Sequence, residues 1–168
     1  MRLRVVFDST ALLGASRGIV VVGAALRYYR VYWSSWLISE FVRKRTEWIA
    51  NRAIKEGCTL AELRKRQRES RERVDAAVAE MSRLFGLVDY TAAAIVGLDW
   101  LPDPNDWPVM QTAVAAQAEV LVTDNARDFP IGEARGGVRM VTTPQFITAL
   151  YAHHPEAEAN IQLFLQGG

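Results

Sequence analysis

The chain has 168 residues, half of them hydrophobic and 23% charged, which suits one compact soluble domain with a substantial core. Its single cysteine, Cys58, excludes an intramolecular disulfide and a cysteine-based zinc site. The net charge of +1 hides a division: residues 1–88 carry 17 Lys/Arg against 9 Asp/Glu, and residues 89–168 carry 3 against 10, so one half suits a polyanion and the other a cation.

Residues 3–7 (L-R-V-V-F) form a short apolar, β-branched run that predicts a buried strand ending in Asp8. Ser9 or Thr10 can cap the helix that follows, and residues 19–26 predict another. The apolar run 18–26 is far shorter than the ~20 residues a membrane span needs. Asp8 interrupts the only stretch that resembles a signal peptide, so a cytoplasmic protein is expected. Residues 30–33 predict a second strand. Ser34 and Ser35 can cap a helix over about 36–53, with Glu40 near its start and Trp36, Leu37, Phe41, Trp48 and Ile49 as its apolar stripe.

After Gly57, Thr59 and Glu62 form a capping box for a long helical segment at about 59–86. Its middle, residues 64–73, is nearly all polar and basic, as expected of a helix that projects into solvent or meets a partner. Residues 87–90 predict a strand, and 92–98 an apolar piece of either kind. Residues 107–118 predict a helix with Pro108 in its first turn. Residues 119–123 and 138–142 predict strands, the second preceded by a Gly136-Gly137 turn; helices over 145–151 and 156–166 close the chain. Alternating strands and helices predict an α/β fold with a mostly parallel central sheet of about 4–5 strands and helices on both faces, in a single domain over 1–168.

Carboxylates recur where such a fold exposes them: Asp8 after a strand, Asp103 and Asp106 at a helix start, and Asp124, Asn125 and Asp128 after another strand. Glu40, in a helix, is a further candidate. Acids gathered at one sheet edge need a cation, protonation or a positive partner, and hard cations such as Mg²⁺ and Mn²⁺ take oxygen ligands. A lone Asp at a helix start is more often a cap. His153 and His154, remote in sequence from the acids, read as surface residues, and Trp33, Trp36, Trp48 and Trp100 as core or interface residues. Trp107 lies beside Asp106, at a rim position.

The segments V-V-F-D-S-T-A-L-L, S-S-W-L-I-S-E-F, D-P-N-D-W-P-V-M-Q-T-A and L-V-T-D-N-A-R-D-F-P, in that order, resemble the four acidic motifs of PIN-domain nucleases. The likeness spans nearly the whole chain and is nearest to VapC-type toxins of bacterial toxin–antitoxin systems. It implies a three-layer fold and metal-dependent cleavage of single-stranded RNA, with Mg²⁺ or Mn²⁺ as cofactor and a cognate antitoxin and a homodimeric mate as partners. By motif, Asp8 takes the place of the first acid, Glu40 the second and Asp106 the third, while the fourth falls at Asp124, Asn125 or Asp128. Asp8, Glu40, Asp106 and Asp124 are thus the expected catalytic set, with Asp8, Asp106, Asp124 and Asp128 as metal ligands. Thr10, Thr123, Asn125 and Asp103 are expected in support. Thr10 stands where the family usually has Asn, and Asn125 where it usually has the acid. Arg43, Lys44, Arg45, Arg64 and Arg68 are the expected RNA contacts.

Three other readings compete. One is a PIN-like binding module without catalysis, and another a housekeeping RNA-processing nuclease. The third, a phosphatase with an aspartyl nucleophile, needs an Asp where Thr10 stands and a later lysine, whereas no lysine follows Lys65.

Overall fold

The computed structural model describes residues 2–92 and 98–167. Six strands form one sheet in the order β3-β2-β1-β4-β6-β5. β1 (Arg4–Phe7), β2 (Arg30–Trp33), β3 (Gly86–Leu87), β4 (Val120–Val122) and β6 (Val138–Val141) run parallel to their neighbours. Only β5 (Ala134–Arg135) is antiparallel, joined to β6 by a hairpin in which Gly136 and Gly137 both take positive φ. The sheet thus has six strands where 4–5 are expected. The extra strand, β5, is two residues long and leaves no hydrophobic period to read. β3 begins at Gly86 and ends at Leu87, short of the expected end at residue 90, where a 3-10 turn over Tyr90–Ala92 begins. Most of the ambiguous piece 92–98 lies outside the described residues.

Helices join the strands: α1 (Ser9–Leu13), α2 (Arg17–Ala25), α3 (Ser35–Lys55), α4 (Leu60–Leu84), α5 (Trp107–Ala115), α6 (Thr143–His153) and α7 (Ala157–Gln166). Consecutive residues of a strand point to opposite faces. Val5, Val6 and Phe7 are all buried, so both faces of β1 are covered. On one side Phe7 meets Tyr29 and packs edge-on against Phe146 of α6. The helix starts follow the capping chemistry. The Thr59–Glu62 capping box opens α4, Ser34 Oγ accepts from the Leu37 amide at 3.3 Å, and Thr142 with Gln145 boxes α6. No described helix is long and apolar enough to cross a membrane.

Parallel strands put their C-terminal ends at one edge. Asp8 follows β1, Ser34 follows β2, Thr123 follows β4 and Thr142 follows β6. This edge of the sheet is where an open α/β fold holds ligands.

Candidate functional site

Asp8 is 2% exposed, and its amide donates to Val122 O at 2.8 Å, which ties the end of β1 to β4. Thr10 Oγ1 and Thr123 Oγ1 donate to Asp8 Oδ2 at 2.7 and 2.9 Å. Each hydroxyl also accepts a backbone amide, Thr10 from Asp124 at 3.1 Å and Thr123 from Asn125 at 3.1 Å. The two threonines therefore fix the carboxylate and the loop after β4 in one network.

Glu40, 8% exposed, comes in from the first turns of α3. Ser9 Oγ lies 2.8 Å from Glu40 Oε2 and 3.1 Å from Asp8 Oδ1, so one hydroxyl proton is placed between two carboxylates. Lys44, one turn along α3, donates to Ser9 Oγ at 3.0 Å and to Glu40 Oε1 at 2.9 Å. Arg43 stands 3.9 Å from Glu40 and binds Glu47 at 2.9 Å. Ser9, expected only as a helix cap, is thus a member of the site. Its sequence signal is its place between Asp8 and Thr10; the folded chain adds Glu40 and Lys44.

Asp106 ends the 3-10 turn Pro104–Asp106 and caps α5 by position, with no side-chain cap bond. Asn125 Nδ2 donates to Asp106 Oδ2 at 3.2 Å and to Asp128 Oδ2 at 2.9 Å. Burial, then the charges of Asp8, Asp103, Asp128 and Glu40, push the Asp106 carboxyl up to about 6. Arg127 grips Asp128 through two nitrogens, at 3.0 and 3.1 Å, and with Asn125 holds that carboxyl below the usual range. Asp103 accepts from the Asn105 amide at 2.9 Å and shapes the turn.

Asp124, expected among the catalytic and metal-binding acids, commits both oxygens elsewhere. Oδ1 accepts from the Thr143 amide at 2.8 Å and Oδ2 from Thr143 Oγ1 at 2.9 Å, so this side chain pins the loop to the start of α6. Of that loop, Asn125 meets Asp106 directly, and Asp128 is linked to it through Asn125.

The donors are all hard oxygens, the set that Mg²⁺ and Mn²⁺ select. Among the described residues, no three His, Cys, Asp or Glu side chains converge as a ready cation cage. Mg²⁺ keeps several waters and takes only one or two carboxylates, so the donor set fits such an ion without a cage.

A cleft beside the acids is lined by Trp36, Glu40, Arg43, Lys44, Asp103 and Asn105. Arg43 and Lys44 therefore stand at the acids, whereas Arg45 faces α4, and Arg64 and Arg68 are exposed on α4 and line neither cleft. Trp33 is buried in the core, and Trp107 is 40% exposed with its Nε1 donating to Leu101 O at 3.2 Å. Trp48, expected in the core or at an interface, is 50% exposed.

Comparison of the chain with protein-family models, with curated proteins and with solved structures finds no match in any of the three.

Proposed function

We propose that this protein is a PIN-like endoribonuclease that uses Mg²⁺ or Mn²⁺ to cleave single-stranded RNA, and that it acts as the toxin of a toxin–antitoxin pair. One observation carries the reading: Asp8, Glu40 and Asp106 are all buried acids, Asp8 and Glu40 joined through Ser9, and burial with the neighbouring charges pushes the Asp106 carboxyl up to about 6. Carboxylates crowded at the ligand-binding edge of a sheet favour a cation. The order of the acids along the chain, from the end of β1 to the loop after β4, adds the resemblance to the PIN motifs.

Asp8 and Asp106 would hold the ion, with Asn125, bonded to Asp106, and Asp128, reached through Asn125, as further oxygen donors. A bound Mg²⁺ or Mn²⁺ supplies Lewis-acid polarisation of a phosphodiester and activation of water. The chain's own residues do the remainder. Thr10 and Thr123 orient Asp8 by donating to one of its oxygens. Lys44 offsets the charge of Glu40 and leaves it anchored to Ser9. Glu40, whose charge reaches Asp106, would then orient an attacking water. Arg43, at the mouth of the cleft, meets the phosphate backbone.

The test is incubation of an end-labelled, unstructured RNA with the protein and Mn²⁺. Cleavage is expected, blocked by EDTA and reduced at least ~100-fold by Asp8→Asn or Asp106→Asn. Mn²⁺ should also raise the melting temperature of the wild type and not of Asp8→Asn. RNA that stays intact, with no shift in melting, overturns the enzyme and leaves a binding module. Expression of the wild type should arrest growth and Asp106→Asn should not; equal growth removes the toxin assignment.

A further inference from the structure

Away from the acids, α2, α3 and α4 enclose a second cleft of about 620 Å³. Arg17 starts α2, where the helix end already carries partial positive charge. Arg45, Trp48 and Arg52 follow one face of α3, and Arg66, Ser70 and Arg73 one face of α4, each at helical spacing. Arg52 and Arg66 are both committed to Glu56. Arg17, Arg45 and Arg73 form no ion pair among the described residues. Glu69 and Glu80 also line the cleft, and Glu69 faces Lys65 at 4.0 Å. The field at Arg45 stays positive despite them: burial, then Arg17 and Arg73, hold its guanidinium below its usual range.

Ser70 supplies a second, independent observation. It is 7% exposed, it lines the cleft, and its Oγ has no hydrogen-bond partner. A serine within a helix normally returns its proton to the carbonyl one turn back. The Ser70 hydroxyl is free to donate to an anion that the unpaired guanidiniums of the same cleft attract. Trp48 lines the same cleft, half exposed, with Arg45 and Arg52 at 4.9 and 5.5 Å from its ring centre. Arg17 and Arg45 also border a small recess with Leu13 and Gly14, at the end of the helix that begins beside Asp8.

We propose that this cleft is a second contact for single-stranded RNA, with backbone phosphate on Arg17, Arg45, Arg73 and Ser70 Oγ and a base stacked on Trp48. Cations around an exposed aromatic ring hold single strands without reading sequence, a base here taking a ring face that Arg45 or Arg52 covers in the free protein. An acidic peptide would use the arginines and leave the ring unexplained. The choice of RNA rests on the ribonuclease reading; the anion site does not.

The experiment uses the full chain in EDTA, so that the strand is bound and not cut, with fluorescein-labelled oligouridylate read by anisotropy. Arg45→Ala with Arg73→Ala should weaken binding about tenfold or more and flatten the log–log salt slope by about 1.4, at ~0.7 per phosphate contact. Trp48→Ala should cost about tenfold as well. Ser70→Ala should raise the melting temperature of the free protein and yet weaken RNA binding, a pair of signs that a purely structural serine does not give. Arg2→Ala with Arg139→Ala removes the same charge elsewhere and should change little. Equal losses in the two double variants, or no loss in either, overturn the cleft, as does a polyglutamate peptide that displaces the RNA at an equal or lower concentration of charge. A wild type that binds through the cleft but cuts nothing with Mn²⁺ sinks the nuclease and leaves the site standing. A wild type that cuts, with the cleft variants binding unchanged, does the reverse.

Discussion

Folding brings the Asp106 carboxyl into a field of like charge, and the chain's stability must register it. In the unfolded chain an aspartate titrates near 3.9, whereas folded Asp106 titrates at about 6. Between roughly pH 4 and 6 the folded state holds a proton that the unfolded state has released, so stability declines as pH rises through that window, by on the order of 2–3 kcal/mol. Asp106→Asn removes this penalty. At about pH 7.5 it should melt above the wild type, and by about pH 4 the two curves should meet; melting curves across that range that stay parallel refute the assignment. Lys44 is the opposite case, a cation that offsets Glu40 and touches Ser9. Lys44→Met should lower the melting temperature of the cation-free protein and tighten Mn²⁺ binding in a calorimetric titration, since the ion then meets Glu40 unopposed. Weaker Mn²⁺ binding by that variant contradicts this role. Asp8 and Asp106 are legible as site residues because each stands where a strand ends or a helix starts. Ser9 is not, because a serine in that place also reads as a cap, and only the tertiary fold brings α3 against it. The choice among Asp124, Asn125 and Asp128 turns on a hydrogen bond to Thr143, nineteen residues on, which leaves no mark in local sequence.

Elements show the same division between local and distant causes. The start of α4 is legible because the capping box is written in Thr59 and Glu62, and both bonds form. Thr59→Ala should therefore cost about 1 kcal/mol, read by urea denaturation or, if α4 frays alone, by amide exchange in its first turns. Strand β5 escapes a sequence reading because two residues hold no period, and its neighbour β6 imposes it; β3 is legible as a strand, but β2 pairs only Gly86 and Leu87. In α2, Gly23 looks like a weak point of a helix, yet a Cβ there would lie 2.6 Å from Tyr29 Oη. That hydroxyl is buried and donates to Val20 O at 2.8 Å. Gly23→Ala should lose about 1–2 kcal/mol in urea denaturation, overpacking outweighing the gain in helix propensity of about 1 kcal/mol; equal or higher stability contradicts the contact.

At the scale of the whole molecule, the uneven charge of the sequence becomes a spatial arrangement. The basic first half supplies α3 and α4, and the acidic second half supplies Asp106 and the loop after β4. Glu40 and Lys44 face the acids from the first turns of α3, whereas Arg45, Trp48 and Arg52 face the second cleft farther along. The helix between them is unbroken over its 21 residues. At about 1.5 Å per residue, Glu40 and Trp48 are separated by roughly 12 Å along the axis. On the proposed reading the helix would act as a ruler: a strand gripped at Trp48 and severed beside Glu40 would be cut at a set interval from its bound base, whatever its sequence, so the place of the cut would follow the place of the grip.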